Sequence, residues 1–222
     1  FKTIVSPQIQ SDDFSIYVTM ENSSEDIIEI IQSNDRNANL KGLKWIMKLK
    51  KYDLHRHSGH FIIKKGYSAK NIADILNAGI QTPVKVIINS TRTTEQIAAS
   101  ISSQLMLDSA TIASKLNDMD YLKSKGFDKD NVFYLIIPNT YEFYWNVSID
   151  GFIERIIKER DAFWNESRKE KAAKIGLSPE EVMTLASIIE EETAKNDELP
   201  IVAGLYINRL KRGMLLQADP TV

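Results

Sequence analysis

Apolar and polar positions follow the same plan in three stretches of the first half of the chain. Residues 14–31, 60–76 and 84–101 each pass from a β-branched run, through a hydroxyl residue, into apolar positions at helical spacing. Ser and Thr cap helices by accepting a backbone N–H from the first turn, and β-branched runs favour strands. The pattern predicts three β-α units, which are either ordinary units or a duplication. In each, an isoleucine follows the hydroxyl residue by four positions: Ser23 and Ile27, Ser68 and Ile72, Thr93 and Ile97.

The second half carries mainly helical patterns. Residues 102–131 predict short polar helices, and 149–175 predict one charged amphipathic helix that ends at Gly176. The segment LSPEE (177–181) has Ser at the cap position, Pro at the first helical position and Glu three residues after the cap. This is a capping box, so it predicts a new helix. A last helix is predicted over 199–212.

The segment VFYLIIPNTYEFYW (132–145) is an apolar, strand-like run that Pro138 interrupts. Its aromatic side chains either pack in the core or form a wall on which sugars stack, and the pattern favours the core. The aromatic positions are Phe133, Tyr134, Tyr141, Phe143, Tyr144 and Trp145.

Composition and charge exclude several classes of protein. The 222 residues are 43% hydrophobic and 26% charged, as in ordinary globular proteins. The net charge of −2 gives no overall attraction to nucleic acid, so the basic segment 41–57 is interpreted as a solvated helix face. The absence of cysteine excludes zinc ribbons, thiol nucleophiles and disulfides.

Neither a metal site nor a membrane span is predicted from the sequence. His55, His57 and His60 lie close together, but no acidic ligand set stands beside them, so we expect an exposed loop and no metal or cofactor. No apolar run reaches the ~18 residues that span a bilayer, and no signal peptide is visible. The chain opens without Met, on FKTIVSP (1–7), which leaves a membrane anchor before residue 1 open.

Three consecutive glutamates end the apolar helical run LASIIEEETA (185–194). With about 100° per residue, Glu190 and Glu192 border the apolar face from opposite sides, about 160° apart, and Glu191 points to solvent. The apolar face consists of Val182, Leu185, Ala186 and Ile189.

A carboxyl beside apolar side chains has a raised pKa and can donate a proton to a leaving oxygen. Because Glu190 and Glu192 diverge, the helix is expected to supply one proton-handling glutamate rather than a close pair. The alternative is a solvated helix end, which is the common role of glutamate runs.

Polar residues are concentrated in the segment YINRLKRGMLLQADPTV (206–222). Two of them interrupt an apolar helix, where polar groups need partners, and three follow in an extended segment. Such a set fits either a carbohydrate-binding groove or a structural network between helix and loop. The residues are Asn208, Arg209, Gln217, Asp219 and Thr221.

The segments at 185–193 and 202–222 resemble the signature of the YceG-like endolytic murein transglycosylases. PNTYEF (138–143) is similar to that family's Pro-Asp-Thr-Tyr segment, with Asn139 in place of Asp. Residues 59–88 resemble the family's LysM-like module, a β-α-α-β unit associated with glycan binding. The family's Glu-Gly in the third β-α unit is absent at NSTRTT (89–94).

The resemblance implies an α+β fold, with a LysM-like β-α-α-β module followed by a mainly helical catalytic domain that is truncated at its C-terminus. The expected boundaries are 1–55 for an N-terminal β-α region, 56–90 for the LysM-like glycan-binding module and 91–222 for the catalytic domain. The family continues past the position of Val222.

The resemblance also implies a function. The family cleaves the β-1,4 bond between N-acetylmuramic acid and N-acetylglucosamine of nascent peptidoglycan, leaves 1,6-anhydro ends and terminates glycan elongation. Expected partners are peptidoglycan strands and peptidoglycan synthases, with no nucleic acid. A missing N-terminal anchor would hold the protein as a single-pass protein of the cytoplasmic membrane, facing the periplasm or cell exterior. The alternatives are a non-catalytic cell-envelope scaffold that binds glycan and a conventional hydrolase that uses Glu190 with Glu192.

Carried over by position, Glu190 matches the catalytic glutamate of the family. Glu191 stands where the family often has Lys. The remaining matched positions are expected to bind substrate or to support the site: Glu192, Asn208, Arg209, Gln217, Asp219, Thr221 and Tyr141.

Overall fold

The computed structural model describes residues 2–127 and 132–218. It is a mixed helix and strand structure with two small sheets, so the predicted α+β class is confirmed. The chain forms two compact units. The first comprises Phe1–Ile87, Ala99–Ser109 and Thr140–Ser148, and the second comprises Ile88–Ala98, Ala110–Asn139 and Ile149–Val222.

The elements follow one another along the chain in this order. The N-terminal part contains α1 (Lys2–Val5), β1 (Phe14–Val18), α2 (Ser24–Asn34), α3 (Lys41–Leu49), a 3₁₀ turn (Tyr52–Leu54), β2 (Gly59–Ile63), α4 (Ala69–Asn77) and β3 (Val84–Ile88). The middle contains α5 (Thr94–Ser102), α6 (Ser109–Leu116), α7 (Met119–Ser124), a 3₁₀ turn (Val132–Leu135) and β4 (Asn139–Phe143). The C-terminal part contains α8 (Ile149–Phe163), α9 (Glu166–Ile175), α10 (Pro179–Glu192) and α11 (Leu199–Lys211).

The predicted β-α units are present as β1-α2, β2-α4 and β3-α5. Ser23 and Ser68 each form a capping box, with Asp26 and Asn71 as the reciprocal partners. At α5, the Thr93 hydroxyl accepts the backbone N–H of Gln96 at 3.2 Å. The isoleucines four positions after these caps are all buried: Ile27, Ile72 and Ile97.

The element order β-α-α-β, which is expected for a LysM-like module at 56–90, occurs in the first unit at 14–63. β1 and β2 pair antiparallel, from Phe14 opposite Ile63 to Val18 opposite Gly59, with α2 and α3 between them. Within 56–90 a single helix, α4, connects β2 to β3, and β3 pairs with β4 instead. The β-α-α-β unit therefore covers 14–63, because two intervening helices bring β2 back antiparallel to β1.

The core of the first unit lies between the β1–β2 sheet and the helices that follow its strands. The inward residues of the sheet, Ile16, Val18, Phe61 and Ile63, are at most 1% exposed. They belong to the same buried cluster as residues of α2, α3 and α4. Burial of these apolar surfaces stabilises the unit, at roughly 25 cal/mol for each Å² removed from water.

The second unit is mainly helical, and two of its predicted elements are wrong. The single helix predicted over 149–175 is divided into α8 and α9, because the Asn165 side chain accepts the N–H of Arg168 at 3.0 Å and starts a new helix. The strand-like run predicted over 132–145 forms a strand only after Pro138, at β4, and its first part is a 3₁₀ turn instead. The capping box at the start of α10 and the helix predicted from residue 199 are both confirmed.

No helix among residues 2–127 and 132–218 combines the length and apolar character that crossing a bilayer requires.

Candidate active site: an acidic cavity beside helix α10

The second unit contains an open cavity of about 1650 Å³. Its walls come from the end of β3 and the segment after it (88–92), the segment 133–138, the cavity-facing side of α10 and the start of α11. Pockets for small ligands usually measure about 300–1,000 Å³. The cavity is therefore larger than a small molecule needs, and its size suits a section of an extended polymer.

Glu190 lies in the wall of this cavity, in the last turn of α10. The hydroxyl of Ser90 donates a hydrogen bond of 2.9 Å to its Oε2. Ser90 follows β3 and lies 100 positions away in sequence. A hydrogen bond from a hydroxyl restricts the orientation of the carboxylate while it stays accessible from the cavity.

The predicted half-buried setting of Glu190 is wrong, because its side chain is exposed. Ala186, one turn earlier and assigned to the apolar face, is exposed as well. The reason is that α10 packs against α11 through a narrow stripe formed by Leu185 and Ile189, which cluster with Tyr206. The side of the helix that carries Ala186 and Glu190 opens into the cavity instead of facing the core.

Glu191 has a specific partner, although its position on the helix predicted simple exposure to solvent. Its Oε2 lies 2.9 Å from Nη2 of Arg92, and both side chains are about half exposed. Exposed ion pairs contribute only about 0–1 kcal/mol. Together with the bond from Ser90 to Glu190, this pair joins the 90–92 segment to the end of α10 at two neighbouring points.

Glu180, at the start of α10, and Glu192, at its end, also line the cavity. Acidic side chains therefore reach the cavity from both ends of the helix. At the wall near Glu180, burial raises the pKa of Tyr134, and the negative charge of Glu180 acts in the same direction. The Tyr134 phenol therefore keeps its proton at neutral pH and remains a hydrogen-bond donor. The cavity offers carboxylates and hydroxyls on a partly aromatic wall, which suits a hydroxyl-rich ligand.

The predicted polar residues in and after α11 have different surroundings. Arg209 donates from Nε to the Leu215 carbonyl at 2.9 Å and from Nη2 to the Gln217 side chain, so these residues close the turn that follows the helix. Asn208 is exposed, and it lies outside the residues that line the cavity in the described part of the chain. The two other predicted site residues, Asp219 and Thr221, lie outside the described residues.

Tyr141 lies on β4 in the first unit, whereas Glu190 belongs to the second. Its side chain is only 5% exposed, and its ring centroid is 6.3 Å from that of Phe143. The burial of Tyr141 and Phe143 agrees with core packing, which leaves little of either ring accessible for stacking on a sugar. Phe133 and Tyr144 of the same aromatic segment are exposed.

Sequence reasoning missed Ser90, Arg92 and Glu180 as cavity residues. Ser90 and Arg92 belong to the polar run NSTRTT (89–94) directly after a strand, and that position was a usable signal. Polar residues at the end of a strand often face a site, since loops carried by rigid elements hold many functional groups. Glu180 lies in the first turn of α10, where acidic side chains are favourable in any helix, so its position gives no separate sign of a cavity.

Within residues 2–127 and 132–218, no three side chains of the His, Cys, Asp or Glu type come together in a way that could hold a metal ion. His60 is instead buried in the first unit, with its ring nitrogens 2.8 Å from the Thr82 carbonyl and 2.9 Å from the Ser15 hydroxyl. The expected exposed histidine loop is therefore wrong for His60, because the first residues of β2 are covered.

The fold and the site define the class of protein: an α+β protein whose helical unit holds an open, acidic cavity. The fold is similar to that in the crystal structure of a yceG-like protein from Listeria monocytogenes, with a TM-score of 0.57 and 23% sequence identity. The superposition covers 95% of this chain and 74% of the Listeria chain. The model of the YceG-like family matches residues 16–222. The chain therefore belongs to the YceG-like family.

Relatives that carry a functional name cover the chain to different extents. The endolytic murein transglycosylase of Bacillus subtilis (strain 168) is 25% identical over 94% of this chain. The endolytic murein transglycosylase of Streptococcus pneumoniae (strain R6) is 30% identical over 38% of this chain and 15% of its own length. This chain spans 62% of the length of the Bacillus protein.

Proposed function

We propose that this chain belongs to an endolytic transglycosylase of peptidoglycan and carries its catalytic carboxyl. The enzyme would cleave the β-1,4 bond between N-acetylmuramic acid and N-acetylglucosamine and leave a 1,6-anhydro end. The observation that carries the proposal is the position of Glu190, at the wall of a cavity large enough for a glycan segment and held by Ser90. The names of the two bacterial relatives support it.

One carboxyl suffices for this reaction. Glu190 first donates a proton to the glycosidic oxygen as the bond from that oxygen to C1 of the muramoyl residue breaks. The resulting carboxylate then accepts the proton of the C6 hydroxyl of the same residue, while O6 attacks C1. The proton that Glu190 gave up is thereby recovered, and no water is consumed.

The arrangement of the glutamates suits this single-carboxyl scheme better than a hydrolase with two carboxylates. Glu190 and Glu192 leave α10 in widely different directions, about 160° apart around its axis. A glycan strand in the cavity would exclude water from the carboxyl at position 190.

The remaining site residues act in support. We assign Ser90 to the orientation of Glu190, and the pair of Arg92 with Glu191 to the placement of the 90–92 segment. From the resemblance to the family, we propose that seven further residues bind substrate or shape the groove. These residues are Glu192, Asn208, Arg209, Gln217, Asp219, Thr221 and Tyr141. For Arg209 and Gln217 the hydrogen bonds favour shaping over contact with sugar.

The cellular setting follows from the same proposal. A transglycosylase of nascent peptidoglycan works in the cell envelope, outside the cytoplasmic membrane, and a single-pass N-terminal anchor would keep it there. Cleavage close to the synthases would terminate glycan elongation, so peptidoglycan synthases are the proposed partners. The β-α-α-β unit at 14–63 is the proposed LysM-like glycan-binding module.

The test uses the full-length protein and glycan strands without cross-links. Replacement of the acid, Glu190→Gln, is expected to reduce the release of anhydro-muropeptides by about 10²-fold or more, as measured by mass spectrometry. The matched control is Glu170→Gln on α9, an exposed glutamate outside the cavity lining, and we expect it to act like the wild type.

Three results would overturn the proposal or part of it. Normal release of anhydro ends by Glu190→Gln would refute the catalytic assignment. Products with free reducing ends would replace the transglycosylase by a hydrolase. Binding of the wild-type protein to peptidoglycan without any new chain ends would favour the glycan-binding scaffold.

A further inference from the structure

Helix α3 has one face in the core and one face in solvent. Leu43, Ile46 and Met47 pack in the core of the first unit and are at most 6% exposed. With about 100° per residue, the exposed residues occupy an arc of about 140° on the opposite side. We call this surface the α3 outer face and define it by Lys41, Lys44, Trp45, Lys48 and Leu49.

Large apolar side chains stand in solvent on this face. Trp45 is 56% exposed and Leu49 is 65% exposed. They are separated by four positions on one helix, so they are neighbours along the same row of the surface. Exposed tryptophan beside exposed leucine leaves apolar area uncovered that a binding partner can remove from water.

The same face is positively charged. Lys41 and Lys48 lie near its centre and Lys44 lies at one edge, and Lys50 and Lys51 follow directly after the helix. Acidic neighbours neutralise two of these charges: Glu25 lies 3.4 Å from Lys44, and Asp74 lies 2.8 Å from Lys50.

In the described part of the chain, the other three lysines form none of the ion pairs. These are Lys41, Lys48 and Lys51. The face is thus locally cationic although the whole chain has a net charge of −2.

We propose that the α3 outer face docks on the surface of an anionic lipid bilayer. Tryptophan prefers the boundary between headgroups and acyl chains, and lysines next to it are attracted by anionic headgroups. Leucine adds apolar area that enters the same boundary, as in helices that lie in the plane of a membrane. A polyanion such as nucleic acid would satisfy the lysines, but it would leave Leu49 without a partner.

The proposal is independent of the transglycosylase activity, because α3 belongs to the first unit and the acidic cavity to the second. Docking would hold the first unit at the membrane surface. A failure of this test therefore leaves the assignment of Glu190 untouched, and a failure of that assignment leaves the docking face untouched.

The experiment measures binding of the 222-residue chain to vesicles by co-sedimentation. One set of vesicles is phosphatidylcholine, and the other is phosphatidylcholine mixed with phosphatidylglycerol. We expect binding to the mixed vesicles that weakens with salt, and at least about 10-fold weaker partitioning into pure phosphatidylcholine. The double variant Lys41→Glu, Lys48→Glu is expected to lose at least about 10-fold in partitioning.

A spectroscopic arm separates insertion from charge attraction alone. Tryptophan fluorescence should shift to the blue on binding and should be quenched by lipids brominated in the upper acyl chain, and Trp45→Phe should remove most of both changes. Control variants are Tyr144→Ala, which removes an aromatic ring 55% exposed in the segment after β4, and Lys171→Glu, which reverses an exposed charge on α9. Circular dichroism verifies that every variant is folded.

Several outcomes would overturn the proposal. Equal binding to both kinds of vesicle, or no binding to either, would exclude docking on anionic lipid. Unchanged binding of the lysine variant would place the contact elsewhere on the chain. Binding to a DNA duplex as strong as to the mixed vesicles, with no fluorescence shift, would replace the bilayer by a polyanion.

Discussion

Asp35 is a buried carboxylate that joins distant segments of the first unit. It ends α2, is 4% exposed, and accepts backbone N–H groups through both oxygens. Oδ2 accepts from Gln10 at 2.6 Å and from Ser11 at 3.0 Å, and Oδ1 accepts from Asn37 at 3.1 Å. The first two donors lie 25 and 24 positions away, so the carboxylate fixes the segment before β1 against the end of α2.

We predict that Asp35→Ala lowers the free energy of unfolding by about 2–4 kcal/mol. A hydrogen bond to a charged group contributes about 1.5–3 kcal/mol, and three such bonds are lost. The sum is smaller than three full contributions, because the N–H groups are only partly buried and water can replace part of each bond. The loss is still large compared with the ~5–15 kcal/mol by which domains are usually stable.

The assay is urea unfolding, followed by circular dichroism at neutral pH. Asp12→Ala is the control, because the Asp12 side chain is 94% exposed in its ion pair with Lys65 and should contribute at most about 1 kcal/mol. A loss below about 1 kcal/mol for Asp35→Ala, or equal losses for both variants, would show that the Asp35 carboxylate does not hold the segment before β1 against α2.

The pH dependence of Asp35 gives a second measurement. Burial of the carboxyl acts to raise its pKa, but the hydrogen bonds from Ser11, Gln10 and Asn37 outweigh burial and hold the pKa below its ordinary value. The charged form therefore stabilises the fold above the unfolded pKa of about 3.9, and this stabilisation is lost as the pH falls through the folded pKa. The difference in stability between the wild type and Asp35→Asn should be constant at neutral pH and should shrink as the pH falls below the unfolded pKa of about 3.9. A difference that stays constant as the pH falls would contradict this reasoning.

Three further predictions concern the site and the helices that carry it. Ser90→Ala removes the hydrogen bond to Glu190, which contributes about 0.5–1.5 kcal/mol. The release of anhydro ends should therefore fall about 2- to 10-fold, without loss of thermal stability. An unchanged rate would exclude an orienting role for Ser90. Ser178→Ala removes the N-cap of α10 and should cost about 1 kcal/mol in urea unfolding, more than Ser187→Ala within the same helix. Phe61→Ala removes a fully buried ring and should cost about 3–5 kcal/mol, and a cost below 1 kcal/mol would place this ring outside the core.

Local elements were predictable because their causes lie within a few residues. The cap of α2 joins Ser23 to Asp26, and the cap of α10 joins Ser178 to Glu181, so the sequence itself contains both partners. Apolar spacing likewise predicted that Ile27, Ile72 and Ile97 would be buried. The division between α8 and α9 also has a local cause, the cap at Asn165, which the continuous charge pattern of the segment concealed.

The candidate site was predictable in part. The position of Glu190 in the last turn of a helix and its separation from Glu192 follow from helical geometry. Its exposure does not, because exposure depends on which stripe of α10 another helix covers. The periodic pattern indicated an apolar face that included Ala186, whereas α11 covers only the narrower stripe of Leu185 and Ile189.

The amino-acid sequence by itself determined the β-α units, the capped start of α10, the candidate glutamate and the family resemblance. The tertiary structure decided which strands pair, since β2 joins β1 and thereby places the β-α-α-β unit at 14–63. It also decided that Ser90 and Arg92 meet Glu190 and Glu191 across 100 and 99 positions of chain. The physical reason is the distance along the chain over which the interactions act. A cap or a helical face is set by neighbours within one turn, whereas contacts between distant segments depend on how whole elements pack.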